Sequence, residues 1–169
     1  MITNLWGEVQ MEAKDYAEEI LKKLEQSDEV HFEPNYDTSK GLKLFPDSVV
    51  LPNNGIHCIY RKGVPLYVGY SGNSTRERLG KFCAAVRQTL RDDEWHVGGV
   101  RYLSLFGEDF EGVTVKAVEH FAGQDIGVKM TDITKEMALN LNCILNDVIY
   151  RKLNPEDTTE EIEEDSLWT

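Results

Sequence analysis

The stretch from Gly55 to Tyr70, GIHCIYRKGVPLYVGY, decides how the rest of this 169-residue chain is read. Two runs rich in aliphatic and aromatic residues, Gly55 to Arg61 and Pro65 to Tyr70, flank Lys62-Gly63-Val64, which predicts two antiparallel strands joined as a hairpin. Ser71-Gly72-Asn73 then reads as a turn. Ser74, with Glu77 three positions later, forms a capping-box signature that opens a helix, Ser74 to Arg91, with Leu79, Phe82, Cys83, Val86 and Leu90 as its apolar stripe.

Working outward, Ala13, Tyr16, Ala17, Ile20, Leu21 and Leu24 recur at helical spacing and predict an amphipathic helix over Met11 to Leu24. Residues 25–54, punctuated by Pro34, Pro46 and Pro52, read as an extended arm with one short strand near Val49. Beyond the polar stretch 91–99, Val100 to Phe106 and Gly112 to His120 read as two further strands and a second hairpin. A last helix starts near Thr131 or Asp132, runs through Ile133, Met137, Leu141, Ile144, Leu145 and Val148, and stops before Pro155. The expected fold is α+β: a small, mostly antiparallel sheet flanked by helices, with an extra N-terminal helix. Three segments follow: 1–53 as helix and arm, 54–156 as the main domain, and 157–169 as an acidic, disordered tail.

Composition narrows the possible roles. Hydrophobic residues at 41% and charged residues at 28% are ordinary for one globular domain. No apolar run reaches the ~20 residues of a membrane span, and residues 1–6 carry no basic, apolar leader, so an unsecreted cytoplasmic chain is expected. Cys58, Cys83 and Cys143 are odd in number and far apart, which fits free thiols rather than a disulfide framework or zinc ribbon. The net charge of −12 argues against a nucleic-acid partner until it is divided by segment. Residues 1–39 carry three basic and ten acidic side chains, and residues 156–169 carry seven acidic and no basic ones. Residues 40–155 carry fifteen basic and thirteen acidic side chains, which leaves room for a local basic face. The acidic ends read as solubilising charge, or alternatively as a cover over a basic groove.

Gly55-Ile56-His57, then Tyr67-Val68-Gly69, then Arg78, and finally Asn146 nine residues before Pro155 lie in the order of four motifs on strand, strand, helix and helix. Over residues 54–156 this pattern resembles the GIY-YIG nuclease superfamily. Two positions depart from it: His57 stands at the first motif's tyrosine, and Asn146 at the glutamate that binds metal in that family. The resemblance implies a DNA endonuclease dependent on Mg²⁺ or Mn²⁺, of the compact kind found in phages and mobile elements. A viral chain of this type would work in the host-cell cytoplasm.

By that resemblance, His57, Tyr67 and Arg78 are the candidate catalytic residues. A neutral imidazole is a competent base near neutral pH, a phenol orients water or phosphate, and a guanidinium fork matches phosphate geometry. Arg76, Lys81 and Arg87 are candidate phosphate or DNA contacts on the same helix, whose cations also include Arg91. Each residue equally has a structural reading: a strand histidine, an aromatic packed across the hairpin, a solvated helix cation, a turn glycine at Gly69. Asn146 sits at the metal position, but an amide is a poorer Mg²⁺ ligand than a carboxylate, with Asp147, Glu119 and Glu136 as other candidates. Two functions therefore stand side by side. One is a metal-dependent nuclease; the other is a catalytically inactive relative that binds nucleic acid or a protein partner.

Overall fold

The computed structural model describes residues 2–3, 9–10, 12–33, 48–120 and 127–146. In chain order the elements are β1 (Ile2–Thr3), β2 (Val9–Gln10), α1 (Ala13–Gln26), β3 (Val30–His31), β4 (Gly55–Arg61), β5 (Val64–Ser71), α2 (Thr75–Val86), α3 (Val97–Phe106), β6 (Val113–Glu119) and α4 (Met130–Leu141). The predicted β4–β5 hairpin is present. Lys62 and Gly63 both take positive φ (51° and 80°), the left-handed pair that lets a two-residue turn follow the twist of its strands. Pairing runs from Gly55 opposite Ser71 to Arg61 opposite Val64, and it shifts after Ile59, leaving Leu66 as an extra residue on β5.

β6 pairs on the other side of β4, and β3 pairs beyond it, giving an antiparallel sheet in the order β3-β6-β4-β5. β1 and β2 form a separate two-stranded ladder. Strand alternation sends the residues of β4 to opposite faces. Ile56 and Cys58 meet Tyr16, Ala17, Ile20 and Leu24 of α1 and Ile133, Met137 and Ala138 of α4. Ile59 meets Leu79, Phe82 and Val86 of α2 and Tyr102 of α3. The architecture is thus three layers, α1/α4 on the sheet on α2/α3. Each fully buried Ile or Leu in these faces stabilises by about 1.5–3 kcal/mol. α1, predicted over Met11 to Leu24, is an integral wall of the core. No described helix is long and apolar enough to cross a membrane.

Four sequence expectations require correction. Val100 to Phe106 is not a strand but the body of α3. Val97, Val100, Leu103 and Phe106 fall every three residues, His96 caps the N-terminus by accepting from the Gly99 amide (3.2 Å), and Gly107 ends the helix at φ 69°. There is consequently no second hairpin, and β6 pairs with β4 instead. α2 stops at Val86, so Arg87 is its C-cap and Arg91 lies beyond it. α4 stops at Leu141 because Asn142 adopts the left-handed conformation and the Cys143 amide bonds back to the Ala138 carbonyl, a Schellman-type stop. Ile144 and Leu145 are therefore outside the helix. Among the described residues around Val49, 48–54, no strand forms, and Val30–His31 supplies a short strand earlier in that region. The expectations for Asp147, Val148, Pro155 and the acidic tail lie outside the described residues.

Candidate phosphate-binding cleft

Gly69 sits opposite His57 in the β4–β5 ladder, and a Cβ added there would come 2.8 Å from His57 Nε2 and 2.8 Å from the Tyr67 ring. Glycine at this position is what lets both rings occupy the space over the ladder. Gly98, in the first turn of α3, is bare for the same reason: its Cβ would meet Tyr67 at 2.8 Å. Between these glycines the rings form a row, with Tyr67 6.2 Å from His57 and 5.2 Å from His96, centroid to centroid. Phe82 closes the row edge-on to His96 at 5.5 Å.

His57 and His96 are buried from solvent. Both nitrogens of His57, and Nε2 of His96, have no hydrogen-bond partner among the described residues. Burial, then the Arg78 charge, lowers His57 to about 3, and the same causes in the same order hold His96 well below its ordinary value. Both rings are neutral at physiological pH, and His57 is a weak proton acceptor. Burial raises the Tyr67 phenol, and the charge of Arg78 pulls the other way.

In front of this row a cleft of about 510 Å³ opens between the N-terminal turn of α2 and the edge of β5. Tyr67, Gly72, Ser74, Arg78, Lys81 and Asn146 are among its walls. The loop into α2 is held by hydroxyls: Ser71 Oγ accepts from the Asn73 and Ser74 amides (3.3 and 2.9 Å), and Ser74 Oγ accepts from the Glu77 amide (3.2 Å). The predicted Ser74 cap is thus present. A helix start beside a guanidinium and an ammonium is an arrangement suited to an anion, because the first-turn amides and the helix dipole add to the side-chain charge.

The structure brings Tyr67, Arg78 and Lys81 together in the cleft. His57 stands directly behind Tyr67 and does not reach the cleft wall. Arg76 donates to the Val49 carbonyl, and Arg87 lies over the Phe110 ring at 5.5 Å; neither lines the cleft. Lys81 also pairs with Glu94 at 3.6 Å. His96 is the member that sequence reading missed. Its signal was the three-residue apolar spacing that makes α3 a helix and His96 its cap.

Asn146 lines the cleft, but its amide is engaged. The Val68 amide donates to Oδ1 (2.8 Å), and Nδ2 donates to the Val68 carbonyl (3.0 Å). Beside it the Leu145 amide donates to the Leu66 carbonyl (2.8 Å), so residues 145–146 pair along the outer edge of β5. A hard cation such as Mg²⁺ seeks carboxylate oxygen. Among the described lining residues Glu77 is the one carboxylate, and Glu119 and Glu136 lie elsewhere. With Asn146 bonded to Val68, this donor set does not fit the metal site that the GIY-YIG resemblance implies. Compared with protein-family models, curated proteins and solved structures, the chain matches none.

Two outcomes follow. Asn146→Glu removes the donor to Val68 and places a carboxylate against a carbonyl, so stability falls by about 1–3 kcal/mol in urea unfolding; an unchanged midpoint contradicts the pairing. Unfolding restores both imidazoles to a pKa near 6.5, so between that pH and about 3 the unfolded chain binds the extra protons, and stability falls as pH falls while staying unaffected above 6.5. From pH 6.5 to 5, His57 alone accounts for a loss of about 2 kcal/mol. His57→Phe should flatten that part of the urea-unfolding pH profile, and an undiminished slope contradicts the assignment.

Proposed function

We propose that this chain is a nucleic-acid-binding protein that seats a backbone phosphate in the cleft at the start of α2. The observation that carries this reading is the convergence of Arg78, one turn into α2, with Lys81 and Tyr67 on the walls of one cleft. A phosphate there receives the α2 amides, the planar fork of Arg78 and the point charge of Lys81, while Gly72 leaves the approach open. The balance of fifteen basic to thirteen acidic residues over 40–155 supports a polyanionic partner for this segment, and the resemblance to GIY-YIG nucleases points to DNA. Binding comes before cleavage in this reading because the Asn146 amide is bonded to the sheet edge.

A metal-dependent endonuclease is the second reading, and the presence of Tyr67 and Arg78 on the walls of one cleft favours it. Nicking of plasmid DNA by the purified chain on adding Mg²⁺ or Mn²⁺ selects it; binding without nicking selects the first. For the first reading, fluorescence anisotropy with labelled single- and double-stranded oligonucleotides should give affinity that falls steeply with salt, because phosphate contacts release counterions. Arg78→Ala should weaken binding about tenfold, on the order of 1.4 kcal/mol, and reduce the salt slope by about one contact. Absence of binding at low salt, or equal affinity in Arg78→Ala, overturns the proposal.

A further inference from the structure

On the α1/α4 face of the sheet, two thiols pack into one cluster. Cys58 is buried in the middle of β4 among Ile56, Val68 and the α1/α4 side chains, and Cys143, the residue after the Asn142 cap of α4, packs against the same cluster. Both are free thiols. The Cys58 thiol donates to the Ile59 carbonyl (3.9 Å), Val68 lies opposite Cys58 in the ladder, and the Asn146 side chain bonds to Val68, so the segment carrying Cys143 runs beside Cys58 and its thiol helps to raise that of Cys58. Lys116 of β6 stands over the Tyr60 ring, 6.0 Å from its centroid, and places a positive charge beside the group. Cys143 is half-buried, whereas Cys58 lies beneath it with no exposed surface. The third cysteine, Cys83, is buried in the other core, against α3 and Phe82.

We propose that Cys58 and Cys143 form a peroxide-responsive disulfide site, with Cys143 reacting first and Cys58 resolving it. The Cys143 thiolate attacks one oxygen of hydrogen peroxide. An S–O bond forms, the O–O bond breaks, and hydroxide leaves to take up the thiol proton as water. The Cys58 sulfur then attacks the Cys143 sulfur; the S–S bond forms, the S–O bond breaks, and the departing hydroxide takes the Cys58 proton. Two thiols are oxidised by two electrons, one peroxide is reduced, and two waters are released. Exposure sets the order, because Cys143 has exposed surface for peroxide to reach and Cys58 has none, and burial raises the Cys58 thiol so that it is the less reactive of the two. The bond would pin β4 to the end of α4, three residues before the Asn146 amide that holds the β5 edge.

The test is peroxide treatment of the folded full-length chain, followed by thiol counting after denaturation and non-reducing peptide mapping. Free thiols should fall from three to one, with Cys58 and Cys143 in one crosslinked peptide pair and Cys83 unmodified. The rate should not change with protein concentration, as an intramolecular bond requires. Cys83→Ser should give the same crosslink, Cys143→Ser should lose it, and dithiothreitol should reverse it. Linkage through Cys83, covalent dimers in place of the internal bond, or Cys143 over-oxidised to sulfinic acid while Cys58 stays reduced would each overturn the proposal.

Discussion

The site depends on the absence of a side chain at Gly69. Because that position lies directly across the ladder from His57, any Cβ there would come within 2.8 Å of the imidazole and of the Tyr67 ring. The two aromatic side chains on this face are therefore placed by a glycine, and the second bare position, Gly98, fixes Tyr67 from the helix side. Tyr67, held between them, shares the cleft wall with Arg78, and burial, aided by the Arg78 charge, keeps the two imidazoles uncharged. A sheet face usually buries aliphatic side chains, so a row of His, Tyr, His and Phe beside one guanidinium concentrates polar atoms where desolvation is expensive. Such concentration is characteristic of functional sites.

The edge of the same hairpin carries the second constraint. β5 is the outer strand of the four-stranded sheet, and an outer strand presents unpaired peptide groups that must be covered. Here the chain after α4 returns along it. Leu145 supplies a backbone amide to Leu66, and the Asn146 side chain, a peptide group in miniature, satisfies both the donor and the acceptor of Val68. An amide can do this and a carboxylate cannot, since a carboxylate only accepts. The residue that the GIY-YIG resemblance would set at a metal position is thus the one whose chemistry completes the sheet.

Much of this was legible in the chain, for identifiable reasons. The β4–β5 hairpin was readable because Lys62-Gly63 separates two apolar runs, and α1 because six apolar positions share one face. The Ser74 cap followed from its hydroxyl and the Glu77 spacing. α3 was misread because Val100 to Phe106 is apolar enough to pass for a strand, and the three-residue spacing that distinguishes a helix spans only ten residues. The early end of α4 depends on a left-handed Asn142, which apolar periodicity does not reveal. Arg76 and Arg87 looked equivalent to Arg78 by sequence, and only tertiary packing separates them: Val49 and Phe110 hold the first two, while Arg78 shares the cleft wall with Tyr67. Conversely, the engagement of Asn146 with Val68 links residues 78 positions apart and leaves no local trace.

An overall charge of −12 and a polyanion-binding cleft are compatible when the negative charge is concentrated toward the ends and the cleft presents a guanidinium, an ammonium and a helix N-terminus. The proposal is that phosphate is received there. It is tested most directly by amide NMR during titration with a short oligonucleotide. The account predicts that the largest shifts fall on the Ser71–Arg78 amides together with Val68 and Lys81. Shifts centred on another surface, or none at low salt, would contradict it.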